Sequence, residues 1–330
     1  MKKSDLYQAA EKIYFENRDV FAEMDKRQRS HLLFVAVFAL IGGSFCVPFL
    51  MLAEFYLHQR SGADIFMLPF WLNGLIAIIF CMMLSYTSLD HSYRRKAKHE
   101  FLYMMAAVFH LRYRRGGVFP LGDLYDHHIL PPYAENRSEE GFSGRIGDFH
   151  IEFQDFLITP VARLFRFDYR ARSKKFYGVA IRIQMNRHFQ AHTVLIPSFL
   201  ANGVLKKLLH EKFTGHNPVN LVYRQFKKRY TVLSTDQVES RFIFDPAVIE
   251  RIIAMGEALG AGWLEISFKD SEMVIIAGQT ENFFEIGHLL NPVNVLTIEK
   301  ALNQMARIRA AVDILELNPL AGLGGGGSRA

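Results

Sequence analysis

The chain has 330 residues, of which 50% are hydrophobic and 22% are charged, and its formal net charge is +6. Both cysteines, Cys46 and Cys81, lie within long apolar runs, which excludes a disulfide framework, a cysteine zinc site and a nucleophilic cysteine in the rest of the chain. The positive charge does not indicate nucleic-acid binding, because much of it flanks those apolar runs.

Two apolar runs lie close together near the N-terminus. They read LLFVAVFALIGGSFCVPFLMLA from Leu32 and IFMLPFWLNGLIAIIFCMMLSY to Tyr86. Each is about as long as the roughly 20 residues that a helix needs to cross a bilayer core, and neither contains Lys, Arg or Asp. The sequence therefore predicts a transmembrane hairpin over residues 31–88.

Basic residues are unevenly distributed around this hairpin. Seven precede it and a further cluster follows it, whereas the loop from His58 to Asp64 contains only Arg60. Because Lys and Arg accumulate on the cytoplasmic side of membrane spans, we expect both termini to be cytoplasmic.

The two segments that flank the hairpin have the spacing of amphipathic helices. Residues 1–30 carry one apolar stripe and residues 89–115 carry another, each in steps of three and four residues. We expect these helices to form a cytoplasmic stalk, packed on each other or between subunits, unless the first one lies flat on the membrane. The residues expected to pack are Leu6, Ile13, Val20, Phe101, Met104 and Val108.

Residues 116–320 have the length of one well-packed cytoplasmic domain or two small ones. The stretch after Gly116 is turn-rich and typical of a linker. Beyond it, Phe149, Ile151 and Phe153 alternate with polar residues, including His150, Glu152 and Gln154, which is the period of a half-buried strand. Two further strands are predicted over YGVAIRIQM and HTVLIP, with a short helix over residues 199–210.

The second half of this domain continues with strands and helices. The run from Asn220 to Pro246 predicts two or three short strands, and Asp245 followed by Pro246 predicts the start of a helix that stops at Gly260. A hairpin turning at KDSE and a last helix from about Val293 to Leu317 follow. The stripe of that helix is expected to mediate assembly or to pack on its own sheet, and it comprises Met305, Ile308, Val312 and Leu315.

These elements predict a membrane-anchored α+β fold: a two-helix transmembrane hairpin, a helical cytoplasmic stalk and a mixed strand and helix domain. The strands come in runs rather than alternating strictly with helices. Residues 321–330 have the composition of an appended linker and are left out of the fold.

Several segments of the domain carry a family resemblance. They are LYDHHILPPY, EEGFSGRIGDFHIEF, IRIQMNRHFQAHTVLIP and YTVLSTDQVESRFIFDPAVIERI, with the later ISF and NFFEI, between about residues 120 and 290. With the hairpin, they resemble the bacterial inner-membrane family known as domain of unknown function 3137. The resemblance implies a place in the bacterial inner membrane and a LemA-type membrane protein as a candidate partner, and it supplies no catalytic residue.

The residues offer few candidates for chemistry. His127 and His128 lie in one loop with Asp123 and Asp126, but adjacent histidines do not easily reach one ion and no further ligand is suitably spaced. His150 and Glu152 share a strand face and could hold an ion or a proton, although a solvated polar face explains them as well. No G-x-S-x-G, H-E-x-x-H or Walker A pattern occurs, so we assign no catalytic residue and expect no cofactor.

One segment, RLFRFDYRARSKK, combines basic and aromatic residues. Near a negatively charged membrane such a loop is suited to lipid headgroups or to an acidic partner, whereas nucleic acid is not expected. Its cations are Arg163, Arg166, Arg170, Arg172, Lys174 and Lys175.

The sequence leads to a hypothesis about function and to two alternatives. The leading hypothesis is a non-enzymatic inner-membrane protein whose cytoplasmic domain forms a homo-oligomer and acts as a scaffold or partner-binding module. The first alternative is a membrane-bound hydrolase or metal-dependent enzyme that uses His127, His128, His150 or Glu152. The second is a subunit of a pore or transporter, which needs several copies because two helices cannot enclose a channel.

Overall fold

A computed structural model describes residues 3–61, 70–129, 133–160, 176–198, 213–279 and 283–316. The chain divides into two units. One comprises Met1–Phe101 with Ile286–Lys300, and the other comprises Leu102–Glu285 with Ala301–Ala330.

Long helices dominate the first unit. Helix α1 spans Lys3–Glu16, α2 spans Arg18–Ser61 and α3 spans Phe70–Val108. The helix predicted over residues 1–30 is therefore interrupted at Asn17, where the side-chain amide donates to the Ile13 carbonyl at 3.0 Å. Such a side-chain bond competes with the helical backbone ladder. From Arg18 onward the helix continues without a break into the first apolar run.

Helices α2 and α3 lie antiparallel. Cys46 Sγ is 4.0 Å from Cys81 Sγ, and Arg27 donates to the Glu100 carboxylate at 3.0 Å. Both pairs join an early residue of one helix to a late residue of the other, as the predicted hairpin requires. The contact is made through small residues, since a Cβ at Gly43 would lie only 2.6 Å from Ile78 Cγ1.

The residues predicted to pack along the flanking helices differ in burial. Leu6, Ile13 and Phe101 are buried, Val20 and Met104 are half-buried, and Val108 is exposed. Whether any of them contacts a second subunit stays a prediction.

The helix predicted over residues 89–115 ends earlier than expected. Helix α3 stops at Val108, His110 takes a left-handed φ of 57°, and strand β1 follows over Leu111–Arg115. Residues 111–115 pair with residues 140–144, and Leu111 is buried. Sheet hydrogen bonds thus replace the last turns of the predicted helix.

The second unit contains an antiparallel sheet. Its strands among the described residues are β1, β2 (Tyr133–Arg137), β3 (Glu140–Ile146), β4 (Phe149–Pro160), β5 (Phe176–Pro197), β6 (Asn217–Pro218), β7 (Tyr230–Ser234) and β8 (Trp263–Gln279). The main path is β1-β3-β4-β5-β7-β6, while β2 pairs with β4 and β8 pairs with β5. The predicted strand at 149–153 is confirmed, as the first part of a longer one.

Strands β5 and β8 are each longer than predicted. The two strands expected at YGVAIRIQM and HTVLIP form the single strand β5, and the hairpin expected at KDSE is absent because both halves of β8 pair with β5. The register shifts between Gln184 and Thr193, and Asp270 has a left-handed φ of 54°. These irregularities bend the ladder where a turn was predicted.

The stretch interpreted as a linker belongs to the core. It forms a short 3-10 helix over Leu121–Tyr125, and its apolar side chains are buried against the sheet. The hydrophobic cluster that contains these side chains comprises Phe119, Leu121, Leu124, Ile129, Phe156, Ile158, Ala180, Val194, Ile196, Phe213, Val274 and Ile276.

Four helices follow in the remaining described chain: α4 (Arg224–Arg229), α5 (Gln237–Ile243), α6 (Pro246–Leu259) and α7 (Val295–Glu316). Between Asn220 and Pro246 the structure has one strand, β7, instead of the predicted two or three, because α4 and α5 occupy much of this stretch. The Asp236 carboxylate caps α5 by accepting from Val238 N at 2.7 Å. Helix α6 begins and ends as predicted, with Asp245 as its cap and Gly260 in the left-handed conformation. In α7 the predicted stripe is buried within the single chain, namely Met305, Ile308, Val312 and Leu315.

The predicted helix over residues 199–210 lies outside the described residues. The same is true of the basic residues from Arg163 to Lys175.

Candidate functional site

Three histidines from distant parts of the chain meet beside the bend in β5 and β8. His128 follows the 3-10 helix, His192 lies in β5, and His216 precedes β6. Each histidine contributes one ring nitrogen, and these three nitrogen atoms lie within 4.8 Å of one another. We call these residues the histidine cluster.

The rings of the histidine cluster are in mutual contact. The His128 and His192 centroids are 4.8 Å apart, the His192 and His216 centroids 4.8 Å, and the His128 and His216 centroids 5.2 Å. Phe213 closes one side, with its ring centroid 5.7 Å from both His128 and His216. All three histidines are half-buried.

The local backbone holds each of these histidines in place. His128 has a left-handed φ of 55°, and its amide donates to the Tyr125 carbonyl at 3.0 Å. His216 closes a turn through Gly215, whose φ is 84°, and donates to the Phe213 carbonyl at 3.0 Å. His192 is fixed by its place in β5. A non-glycine residue at such a φ is uncommon, although histidine is among the types enriched there.

Burial keeps two rings of the histidine cluster neutral. It lowers the pKa of His192 to about 3, with further repulsion from His216, His128 and Lys269. Burial also lowers the pKa of His216. Because the charged form of a histidine loses hydration when it is buried, these two rings are neutral imidazoles near pH 7. A neutral imidazole offers a lone pair to a metal ion or a hydrogen-bond donor.

A second group of polar residues supports His192. Its Nε2 lies 3.1 Å from the His127 carbonyl and 3.1 Å from Ser267 Oγ. Since a carbonyl only accepts, we assign the proton to Nε2, which leaves the lone pair of the ring on Nδ1. The hydrogen bonds of His192 therefore select its tautomer.

The side chain of His127 extends this network away from the cluster. Its Nδ1 lies 3.2 Å from Ser267 Oγ, and its Nε2 lies 3.3 Å from Glu272 Oε2. The consistent assignment has Ser267 donating to Nδ1 and Nε2 donating to the carboxylate. Burial lowers the pKa of His127, and the charge of Glu272 opposes that shift.

Serine, histidine and carboxylate in one chain of contacts are also the parts of a hydrolase triad. Here Ser267 is 0% exposed. A nucleophile must reach its substrate, so this serine is placed to support its neighbours rather than to attack a bond.

The residues singled out from the sequence occupy different places in the structure. His128 joins the cluster, His127 contributes its carbonyl and its side chain to the support, and His192 and His216 were missed. His150 is exposed on β4. Glu152 forms a salt bridge with Arg182 across the β4 and β5 pair, so the proposed pairing of His150 with Glu152 is weakened by a competing cation.

The sequence carries a weak signal for the two histidines that it did not single out. His192 lies at the end of the polar middle of β5, half-buried between the buried residues Ala191 and Thr193, while His216 lies in a turn that contains a glycine. No known motif has the spacing that separates either of them from His128. The three histidines come together only in the folded chain.

Comparison with known proteins gives limited results. The curated proteins yield no match. Among solved structures, the chain is similar to the crystal structure of the mycobacterial trehalose monomycolate transport factor A, TtfA. That similarity has a TM-score of 0.35 and 9% sequence identity, and it covers 67% of this chain and 94% of that chain. Residues 174–317 match the family described as "Protein of unknown function (DUF3137)", which assigns this part of the chain to a domain of unknown function, as the resemblance predicted.

Proposed function

We propose that α2 and α3 form a transmembrane hairpin that anchors the α+β unit to the bacterial inner membrane. The observation that carries the proposal is the distribution of side chains on these helices. Small residues face the partner helix and large apolar residues face outward. The buried positions include Ala39, Gly43, Ala77 and Cys81.

The outward face of α2 and α3 is too apolar for water. Phe45 is 72% exposed and Phe49 is 73% exposed, and other large residues continue the same surface. Only 22% and 17% of the residues in the most apolar windows of the two helices are buried, whereas a core helix of a soluble protein is mostly buried. Large contiguous apolar patches of this kind mark a membrane or partner contact. Close approach through small residues is how helices pack in lipid.

The distribution of charge supports an orientation. The basic residues before α2 and those in the second half of α3 flank the apolar segments, while the loop between them contains one arginine. We infer that both termini and the α+β unit face the cytoplasm.

We further infer that the anchored unit works by self-assembly and partner binding rather than by catalysis. Val238 and Phe242 lie one turn apart on α5 and are 63% and 71% exposed. Tethering to one membrane raises the effective concentration of identical chains, which favours a second copy as the occupant of this surface. A LemA-type partner and headgroup contact by the segment from Arg163 to Lys175 remain further proposals.

Membrane extraction tests the anchor. Alkaline carbonate releases peripheral proteins, and we expect this chain to stay in the membrane pellet. Phe45→Lys with Phe49→Lys should lower the inserted fraction, because a lysine at the centre of a span costs about 2.5–3.5 kcal/mol. The matched control is Tyr7→Lys with Phe15→Lys on the exposed face of α1, which should leave insertion unchanged. Release of the unmodified chain into the supernatant would refute the anchor.

Size measurement tests the assembly. We expect more than one copy per particle at micromolar protein in detergent, and Val238→Ser with Phe242→Ser should reduce the number of copies. A monomer under these conditions would refute self-assembly.

The alternative function, a metal-dependent enzyme, is supported by one observation, the histidine cluster.

A further inference from the structure

We propose that His128, His192 and His216 bind one divalent transition-metal ion of the zinc class, each through one ring nitrogen. The proposal rests on the α+β unit alone and is independent of whether α2 and α3 cross a membrane. It goes beyond the anchoring and assembly inferred above.

The distances fit a site that closes on its ion. Zinc lies about 2.0–2.1 Å from each histidine nitrogen, so two nitrogens of a tetrahedral site are about 3.4 Å apart. The three nitrogens of the cluster lie within 4.8 Å. Small rotations of the rings therefore bring them into the first coordination shell. Two of the three rings are held by turns, at His128 and His216, rather than by the rigid middle of the sheet.

The hydrogen bonds of His192 are those of a supported ligand. A metal-binding histidine usually donates its second ring N–H to a carbonyl or a carboxylate, which fixes the tautomer and the ring plane. His192 makes this bond to the His127 carbonyl at 3.1 Å, with Ser267 Oγ at 3.1 Å as a second acceptor. The Nδ1 lone pair that results is available for coordination.

The backbone at His128 gives an independent indication. Its φ of 55° is a conformation that carries a cost for a residue with a Cβ. Such outliers concentrate at functional sites, where surrounding contacts hold them. Here the outlier brings a ring nitrogen to the other two histidines.

The ligand set selects the kind of ion. Three imidazoles suit Zn²⁺, Cu²⁺, Ni²⁺ or Fe²⁺, whereas Mg²⁺ and Ca²⁺ require oxygen ligands. Three protein ligands leave a fourth position for water or substrate, as in catalytic zinc sites. The charge of Lys269 opposes a cation here.

A packed group of aromatic rings is the competing explanation. The His128 and His192 rings are tilted by 30° to each other, and the other ring pairs, including those with Phe213, make edge contacts. Ring contacts of this kind stabilise a core without a ligand. This explanation predicts no stoichiometric ion.

Metal titration of the full-length chain in detergent separates the two explanations. The chelator-treated protein is titrated with Zn²⁺, and separately with Co²⁺, whose visible absorption reports coordination number. His216→Ala and His128→Asn each remove one ligand, and asparagine accepts the left-handed backbone that residue 128 requires. His150→Ala is the matched control, since it removes an exposed histidine of the same sheet.

We expect one ion per chain and an intense, four-coordinate Co²⁺ spectrum for the unmodified protein and for His150→Ala. Each cluster variant should bind at least about tenfold more weakly, since even loss of a supporting residue costs that much. Circular dichroism checks that the variants fold. If they do not, the unmodified chain decides: no bound ion at micromolar metal, or a weak six-coordinate spectrum, overturns the proposal. Folded cluster variants that bind as tightly as His150→Ala overturn it equally.

Discussion

At the scale of single residues, Gln154 differs most from its expected place. The alternation in the sequence puts it on the solvated face of β4 with His150 and Glu152, yet it is 0% exposed. From this point β4 is covered on both faces, because residues 153 to 156 are all buried. The amide accepts from Val118 N at 2.8 Å and Phe119 N at 3.0 Å, and donates to the Phe119 carbonyl at 2.9 Å. Gln154 thus holds the segment that leads into the 3-10 helix.

Gln154→Leu should destabilise the α+β unit by roughly 2–6 kcal/mol. The change removes the partner of two backbone N–H groups, and each buried group left without one costs about 1–3 kcal/mol. Thermal unfolding measures the loss.

The control for this prediction is Gln184→Leu on β5, whose amide donates to the Ser271 carbonyl at 2.9 Å in an exposed position. An exposed substitution of this kind usually changes stability by no more than about 0.5 kcal/mol. Equal effects of the two substitutions would show that the Gln154 bonds contribute little.

The histidine cluster marks the limit of residue-level prediction. The loop containing His127 and His128 could be singled out because its residue types are ligand types. His192 and His216 could not be joined to it, since the contact depends on how β5 bends and where the loop crosses it. Only three-dimensional structure supplies that proximity.

At the scale of elements, local signals were read correctly where they were strong. Asp245, Pro246 and Gly260 specify both ends of α6 through side-chain capping, the fixed φ of proline and the left-handed C-cap. The apolar spacing of α7 likewise predicted a helix, whose described extent is Val295–Glu316.

The sequence predicts two short strands in place of each long one, because the middle of each long strand is polar. In β5, the residues Asn186, His188 and Gln190 are exposed, and in β8 the run Lys269–Glu272 has the composition of a turn. Pairing of the two strands with each other overrides that local preference. A strand's length depends on its neighbour as much as on its own residues.

Helix packing in the first unit gives a prediction at the same scale. Gly43→Ile should separate α2 from α3, because the new side chain would meet the backbone of Ile78 as well as its side chain. The thiols of Cys46 and Cys81, 4.0 Å apart, report the separation. We expect copper phenanthroline to oxidise this pair readily in the unmodified chain and much more slowly in the variant, as measured by loss of maleimide labelling after denaturation.

Gly74→Ile is the matched control for this prediction. A Cβ at that position would meet Val47 Cγ2 at 3.8 Å, which is ordinary contact, so oxidation should proceed nearly as in the unmodified chain. Equal oxidation of Gly43→Ile and the unmodified chain would contradict the small-residue packing.

At the scale of the whole molecule, the apolar runs and their basic flanks were the most predictable feature. A long apolar run can be recognised from the sequence alone, because recognising it requires no knowledge of tertiary contacts. In the part of the chain that the structure describes, two helices are long and apolar enough to span a membrane. The orientation proposed for the hairpin rests on the distribution of Lys and Arg, and a labelling measurement can test it directly.

Cysteine accessibility provides that measurement, because the chain contains only Cys46 and Cys81. In a Cys46→Ala and Cys81→Ala background, Ser61→Cys places one thiol in the sequence between the two apolar runs. Asp148→Cys places one on the exposed turn between β3 and β4. A membrane-impermeant maleimide applied to spheroplasts should label the first variant directly and the second only after permeabilisation, since the basic flanks keep the sheet unit inside. The reverse labelling pattern would show that the topology is the opposite of the one proposed. Direct labelling of both variants would show that the two thiols do not lie on opposite sides of a bilayer.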